Sequence, residues 1–245
     1  MPGMTNKILL RHPPNRQRST AHRRIAHAIQ VSLHRGASCA KLPHFCHHCP
    51  VNVLTVIAHP NPDSFNYAIV ERVEAGLKSA GHEVRRRDLY HPLFDPVLGA
   101  DELAALQQGE VCAAVREEQA LLDWAEALVF VYPLWWLDRP AVLKGWCDRV
   151  LTHGFAFSYD ENGVCGLLPQ KRALVLVTAG GSGVEMEEMG ATTAQIFFPM
   201  VEGSLKFCGV DEVEGRVFYA VGSASDQERA AMLDAVEQLG RTMVA

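Results

Sequence analysis

No apolar run in this chain approaches the roughly 18 residues that a helix needs to cross a bilayer, so no transmembrane segment is expected. No apolar core of a secretory signal precedes the first strand-like segment either, which leaves the cytoplasm as the default location. Internal repeats and Gly/Ser-rich linkers are absent. Paired cysteine spacing is almost absent: Cys112, Cys147, Cys165 and Cys208 are scattered and read as small buried hydrophobes of a reducing compartment. The first fifty residues lack Asp and Glu altogether, yet hold eight of the 23 Lys/Arg and seven of the eleven His. The remainder thus carries 15 basic against 28 acidic residues, a net −13 beneath the overall −5. An acidic body of that kind argues against nucleic acid as a partner. What is present is ordinary for a globular protein, with 48% hydrophobic and 21% charged residues over 245 positions, enough for one α/β domain or two small ones.

Residues 1–50 admit three readings. A basic, Arg- and Ser-containing, acid-free leader resembles a transit peptide or a disordered tail. Cys39, His44, Cys46, His47, His48 and Cys49 are zinc-ligand types, but their spacing fits no standard finger and no second Cys-x-x-Cys completes the set, so no metal is assigned. The third reading is a translated upstream stretch, with synthesis starting at Val51. The folded domain is expected over residues 51–245.

From Val51 onward strand-like and helix-like segments alternate, the mark of a parallel sheet with helices on both faces. Strands are expected at Val53–Ala58, Glu83–Asp88, Leu128–Tyr132, Arg172–Thr178 and Arg216–Val221, with the first of them central. Helices are expected near Asn66–Ala80, Val115–Trp124, Ala141–Leu151 and Asp226–Gly240.

Ala127 to Leu151, ALVFVYPLWWLDRPAVLKGWCDRVL, organises the rest. Its opening run reads as a strand buried on both faces, which Pro133 ends for want of an N–H. The turn Leu134, Trp135, Trp136 follows, then a helix with Val142, Leu143, Trp146 and Val150 at helical spacing. In an open α/β sheet, ligands bind beyond the carboxyl ends of strands, where a flat aromatic turn suits a flat aromatic cofactor. Core or interface packing accounts for the same tryptophans equally well.

Two further loops lie at carboxyl ends. After the first strand, His59-Pro60-Asn61-Pro62-Asp63-Ser64-Phe65-Asn66 leads into a helix, whose exposed N–H groups and positive dipole end attract anions. Ser64 and Asn66 also serve a plain capped helix. After the fourth strand, Thr178-Ala179-Gly180-Gly181-Ser182-Gly183 has little side-chain bulk and lets backbone approach a ring, although a Gly-rich turn alone is weak evidence.

These segments, PLWW with RPAVLKGWCDRV, HPNPDSFNYA and TAGGSG, resemble in order and spacing the flavodoxin-like NAD(P)H:quinone oxidoreductases, the DT-diaphorase family. That family has a Pro-Leu-x-Trp turn followed by Pro-Ala-x-Leu-Lys-Gly-Trp. The similarity runs from about Asn52 to the C-terminus. It implies a flavodoxin-like, five-stranded doubly wound sheet and a homodimer that passes hydride from NAD(P)H through a flavin to a quinone by a ping-pong mechanism. By the same resemblance His59, Ser64, Phe65 and Asn66 hold the flavin phosphate or pyrophosphate. Pro133, Leu134, Trp135 and Trp136, with Thr178, Ala179, Gly180 and Gly181, cup the isoalloxazine. Arg229 falls near where FAD-binding members place an Arg by the adenine, although an exposed Arg on a helix is usually just solvated. FAD is expected, with FMN as the alternative. Animal members carry a Tyr and a His after the Gly-rich loop; those places hold Met186 and Thr192 here, and no catalytic residue is assigned. A subunit of an ion-efflux system and a flavodoxin-type carrier are the rival roles.

Overall fold

Val53, Leu54, Val56 and Ile57 are all fully or almost fully buried, so the first strand of the chain faces a helix layer on each side. The computed structural model describes residues 49–244. The readings of residues 1–48, Cys39 and Cys46 among them, lie outside the described residues. Five parallel strands form the sheet: β1 (Asn52–Ile57), β2 (Glu83–Asp88), β3 (Ala127–Pro133), β6 (Arg172–Thr178) and β7 (Glu212–Phe218), in the order β2-β1-β3-β6-β7. This is the flavodoxin-like order of a doubly wound sheet.

Side-chain alternation divides the core. Val53, Ile57, Val129, Val131, Leu174 and Leu176 point to the layer of α1 (Phe65–Ser79) and α7 (Asp226–Thr242). Leu54, Val56, Phe130, Tyr132, Val175 and Val177 point to the layer holding α3 (Ala113–Trp124) and α4 (Ala141–Val150). Burial on both faces is why β3 and β6 read as unbroken apolar runs. In the first layer α1 and α7 cross so closely that a Cβ on Gly76 would stand 2.1 Å from the Glu237 carbonyl oxygen.

In the second layer the Lys-Gly-Trp of α4 has a structural task. A Cβ on Gly145 would come within 2.1 Å of the Pro96 carbonyl oxygen, so the connection after β2 can lie against α4 only at glycine. Trp146 is buried against Phe130, and its Nε1 donates to Glu118 Oε2 at 2.9 Å. Glu118 in turn accepts from Arg87 Nε at 2.7 Å, which joins β2, α3 and α4 through one satisfied buried network.

Several expectations are corrected. β3, not β1, is the central strand. The last strand runs Glu212–Phe218, earlier than Arg216–Val221. Its edge pattern alternates exposed Glu212, Glu214 and Arg216 with half-buried Val213 and Val217, and that is quieter than the apolar run after it. An antiparallel hairpin, β4 (Phe157–Asp160) with β5 (Gly163–Gly166), was not anticipated because its strands are short and largely exposed. The short helices α2 (Ala100–Gln107), α5 (Gly183–Glu188) and α6 (Thr193–Met200) complete the set. A π-helical turn, Val201–Lys206, follows Pro199 at the end of α6, where the missing N–H breaks the regular ladder. Cys147 and Cys208 are buried, as expected, but Cys112 is exposed and Cys165 half-buried.

Candidate active site

The strand order reverses between β1 and β3, and in open α/β sheets the carboxyl ends at such a switch point are where ligands bind. The loop after β1 tightens on itself. Asp63 N–H donates to Asn61 Oδ1 at 2.9 Å, Ser64 N–H donates to the Asn61 carbonyl at 3.1 Å, and Asn61 N–H donates to His59 Nδ1 at 3.1 Å. Partial burial pushes the His59 pKa down, and the Asn61 carbonyl offsets only part of that. Burial thus favours the uncharged ring.

Ser64 occupies the N-cap of α1 in extended conformation, yet its side chain caps nothing. Its Oγ is fully buried and has no hydrogen-bond partner. No acidic residue stands in the first turn of α1. The outcome is an unneutralised helix N-terminus with an orphaned hydroxyl beside it, which is what an anion with several acceptor oxygens requires. Phe65 packs into the core layer between the sheet and α1.

In the loop after β3, Trp135 and Asp138 exchange backbone hydrogen bonds of 3.0 and 3.1 Å. The two residues between them, Trp136 (φ 53°) and Leu137 (φ 62°), are both left-handed. A two-residue turn of this hand is normally Asn-Gly, and a bulky side chain there costs about 1–2 kcal/mol per residue. Trp136 is wholly exposed, with Trp135 at 41% and Leu137 at 43%, so Trp136 is no core aromatic. Strain held at an exposed apolar turn makes it a candidate for a functional role. Trp135 packs against His59 with ring centroids 5.8 Å apart, tilted to one another.

The third loop is tied to the other two. Pro133 and Thr178 are register partners, and Leu134 N–H donates to the Thr178 carbonyl at 2.7 Å. Asn66, buried in α1, donates from Nδ2 to Thr178 Oγ1 at 3.0 Å. Ala179 N–H donates to the Phe218 carbonyl and Ala220 N–H to the Gly181 carbonyl, so the loop after β7 backs the Gly-rich one. Gly180 has nothing within 4 Å of where a Cβ would stand, whereas one on Gly181 would meet the Met186 methyl at 2.9 Å. Gly180, rather than Gly181, borders open space.

His59, Asn66, Leu134, Trp135 and Thr178 thus meet at one edge of the sheet. Arg229 stands one tier back: it pairs with Asp226 at 2.7 Å and reaches the Val221 carbonyl at 3.5 Å. Thr192 caps α6 in a reciprocal box with Gln195, so its hydroxyl has a structural employment. Arg139 attracts no role in the sequence, since an Arg before a helical Pro reads as a solvated charge, but the structure buries it.

A family profile described as flavodoxin-like fold matches residues 51–240. An uncharacterized NAD(P)H oxidoreductase of Haemophilus influenzae is 34% identical over 189 residues, covering 77% of this chain and 93% of that protein. NAD(P)H dehydrogenase [quinone] 1 of Rattus norvegicus is 32% identical over 200 residues, 74% of this chain and 73% of that one. Among solved structures, an NAD(P)H:quinone oxidoreductase from Methanothermobacter marburgensis superposes with a TM-score of 0.72 at 32% identity, covering 79% of this chain and 98% of that one.

Proposed function

The chain belongs to the flavodoxin-like family of NAD(P)H:quinone oxidoreductases, and from that premise we propose that it is a flavin-dependent NAD(P)H dehydrogenase delivering two electrons, as hydride, to quinones or similar flat aromatic acceptors. One observation carries the reading. The uncapped helix N-terminus with the orphaned Ser64 hydroxyl, the exposed Trp135–Leu137 turn and open Gly180 lie on the three loops that follow β1, β3 and β6 at the carboxyl end of the sheet. A phosphate seat next to a flat apolar slot fits a flavin nucleotide. No helix among the described residues is long and apolar enough to cross a membrane.

In this reading Ser64 and the first-turn N–H groups of α1 hold the phosphate. Asn66 works through Thr178, fixing the loop whose backbone borders the ring, and Pro133–Trp136 line the opposite wall. Flavin, when bound, accepts and returns the hydride. The chain's own share is to orient donor and acceptor and to keep water out. His59, whose partial burial disfavours its charged form, packs against Trp135 on the same wall. Donor and acceptor use one exposed face in turn, giving ping-pong kinetics. Arg229, tethered beside the loop that backs the Gly-rich segment, is the basis for assigning FAD over FMN. The activity is assigned to residues 51–245, in the cytoplasm. A second copy of the chain covers exposed Phe198, Phe207 and Tyr159.

The purified full chain is expected to be yellow, to release FAD on denaturation, and to oxidise NADH or NADPH only when a quinone such as menadione is added. A colourless protein that binds neither FAD nor FMN on reconstitution, and shows no quinone-dependent oxidation, would overturn the reading.

A further inference from the structure

Beside Arg139, the other buried arginine among the described residues is Arg149, which has a counterion, and so do the more accessible Arg86 and Arg87. Arg86 forks onto Glu74, Arg87 pairs with Glu118, and Arg149 pairs with Glu102. Arg139 breaks the pattern. It is only 9% exposed, and its Nε and Nη1 are fully buried without a hydrogen-bond partner. Among the described residues it forms no ion pair. The adjacent Asp138 carboxylate is engaged by the backbone N–H of Arg139 at 2.7 Å. The guanidinium lies close enough to Tyr132 and Cys147 to oppose the rise that burial imposes on both their pKa values. Arg139 belongs to the segment that leaves the Trp136–Leu137 turn and leads from the carboxyl end of β3 into α4.

An unpaired buried cation is expensive and persists where something supplies the missing negative charge. The positive field is reinforced locally. Arg139 stands one residue before Pro140, the N-cap of α4, a ten-residue helix with no side-chain cap and no acidic residue in its first turn, whose dipole adds to the charge. A planar guanidinium fork matches the paired oxygens of carboxylate, sulfonate and phosphate. Resting on the quinone-reductase reading above, we propose that Arg139 binds an oxyanion carried by the molecule entering the slot beside Trp135 and Trp136, and so selects aromatic acceptors bearing a carboxylate or sulfonate. The same chemistry is offered by the extra phosphate of NADPH, and the two sources separate experimentally.

The holoenzyme and its Arg139→Met and Arg139→Lys variants would be assayed with anthraquinone-2-sulfonate and with neutral 2-(hydroxymethyl)anthraquinone, each with NADH and with NADPH. In Arg139→Met the ratio of kcat/KM for the sulfonate to that for the neutral quinone should fall at least tenfold, mainly through KM, and Arg139→Lys should recover part of it. A fall in the NADPH-to-NADH ratio instead would keep Arg139 as the oxyanion residue and make the donor's phosphate its ligand. Binding of naphthalene-2-sulfonate, followed by calorimetry without turnover, should weaken about tenfold in Arg139→Met. That arm decides the role of Arg139 even if the protein reduces no quinone, and Arg139→Lys supplies it if the Met variant does not fold. Ratios and affinity all within twofold of wild type would overturn the proposal.

Discussion

Asn66 Nδ2 donates to Thr178 Oγ1 at 3.0 Å, and the Thr178 hydroxyl returns a bond to Asn66 Oδ1 at 3.2 Å, across 112 residues of chain. Both side chains are buried. The pair clamps the start of α1 to the end of β6, so the helix terminus beside Ser64 and the Gly-rich loop are held in one frame. Asn66 and Thr178 spend these bonds on each other, which makes them positioning residues for the loops proposed to hold the flavin.

The clamp predicts a double-mutant result. Asn66→Ala leaves a buried hydroxyl unsatisfied and should cost about 1–3 kcal/mol of stability. Thr178→Val should cost a similar amount. The double variant should lose clearly less than the sum of the two, because the second change removes a group the first has already orphaned. Chemical denaturation of the four proteins checks this; simple additivity would mean that the two side chains do not interact.

The turn at Trp136 and Leu137 predicts a gain in stability with a loss of function. The paired substitution of Trp136→Asn with Leu137→Gly places in the turn the residue types that its left-handed backbone favours. It should raise stability by about 1 kcal/mol after the entropy of the added glycine is allowed for. The fully exposed Trp136 ring has no buried area to lose. The same change should weaken flavin or acceptor binding, read as Kd by fluorescence titration. A variant that is destabilised would show that the turn is not strained.

Much of this was legible in the sequence because burial on both faces leaves a plain signature. Val53–Ile57, Ala127–Tyr132 and Arg172–Thr178 are apolar runs with no other sensible home. The loops at their carboxyl ends could then be located by fold class alone. Other features carry no local signal. Nothing in Trp136-Leu137 announces positive φ, since the usual marker is Gly or Asn. Ser64 reads as a cap, and only three-dimensional placement shows its hydroxyl unpartnered. The Gly145–Pro96 approach and the Asn66–Thr178 clamp join residues far apart in the chain. β7 was misplaced because an exposed edge strand lacks the apolar continuity of its neighbours, and Arg139 was missed because burial of a charge is a tertiary fact.

Gly145 gives a test of packing separate from any ligand. Its absent Cβ would stand 2.1 Å from the Pro96 oxygen and 2.4 Å from the Pro96 Cβ, so Gly145→Ala forces backbone apart in the second layer. Overpacking of this kind costs about 1–3 kcal/mol, occasionally more. The expected result is a fall in Tm with the Trp146 environment altered in near-ultraviolet circular dichroism. Unchanged Tm would show that the Pro96 segment can move away freely.

Acid stability should depend on Glu74. Its carboxyl is buried, which by itself would raise the pKa, but the Arg86 guanidinium and the Thr55 hydroxyl outweigh burial and hold it below the usual carboxylate range. The contacts are short: Arg86 Nε and Nη2 each lie 2.8 Å from a Glu74 oxygen, and Thr55 Oγ1 lies 2.6 Å from Oε1. Because the folded form binds this proton less readily than the unfolded form, the contribution is fully present above the unfolded value near 4.5. It is lost as pH falls from there through the folded value. Glu74→Gln takes the counterion from the partly exposed Arg86, a loss that solvent screening softens, and should cost about 1–3 kcal/mol at pH 7. The decisive measurement is the slope of unfolding free energy against pH below about 4.5, which should flatten in Glu74→Gln relative to wild type. Parallel acid limbs in the two proteins would place the acid sensitivity elsewhere, and would mean that the Thr55–Glu74–Arg86 cluster does not hold its charge in the folded state.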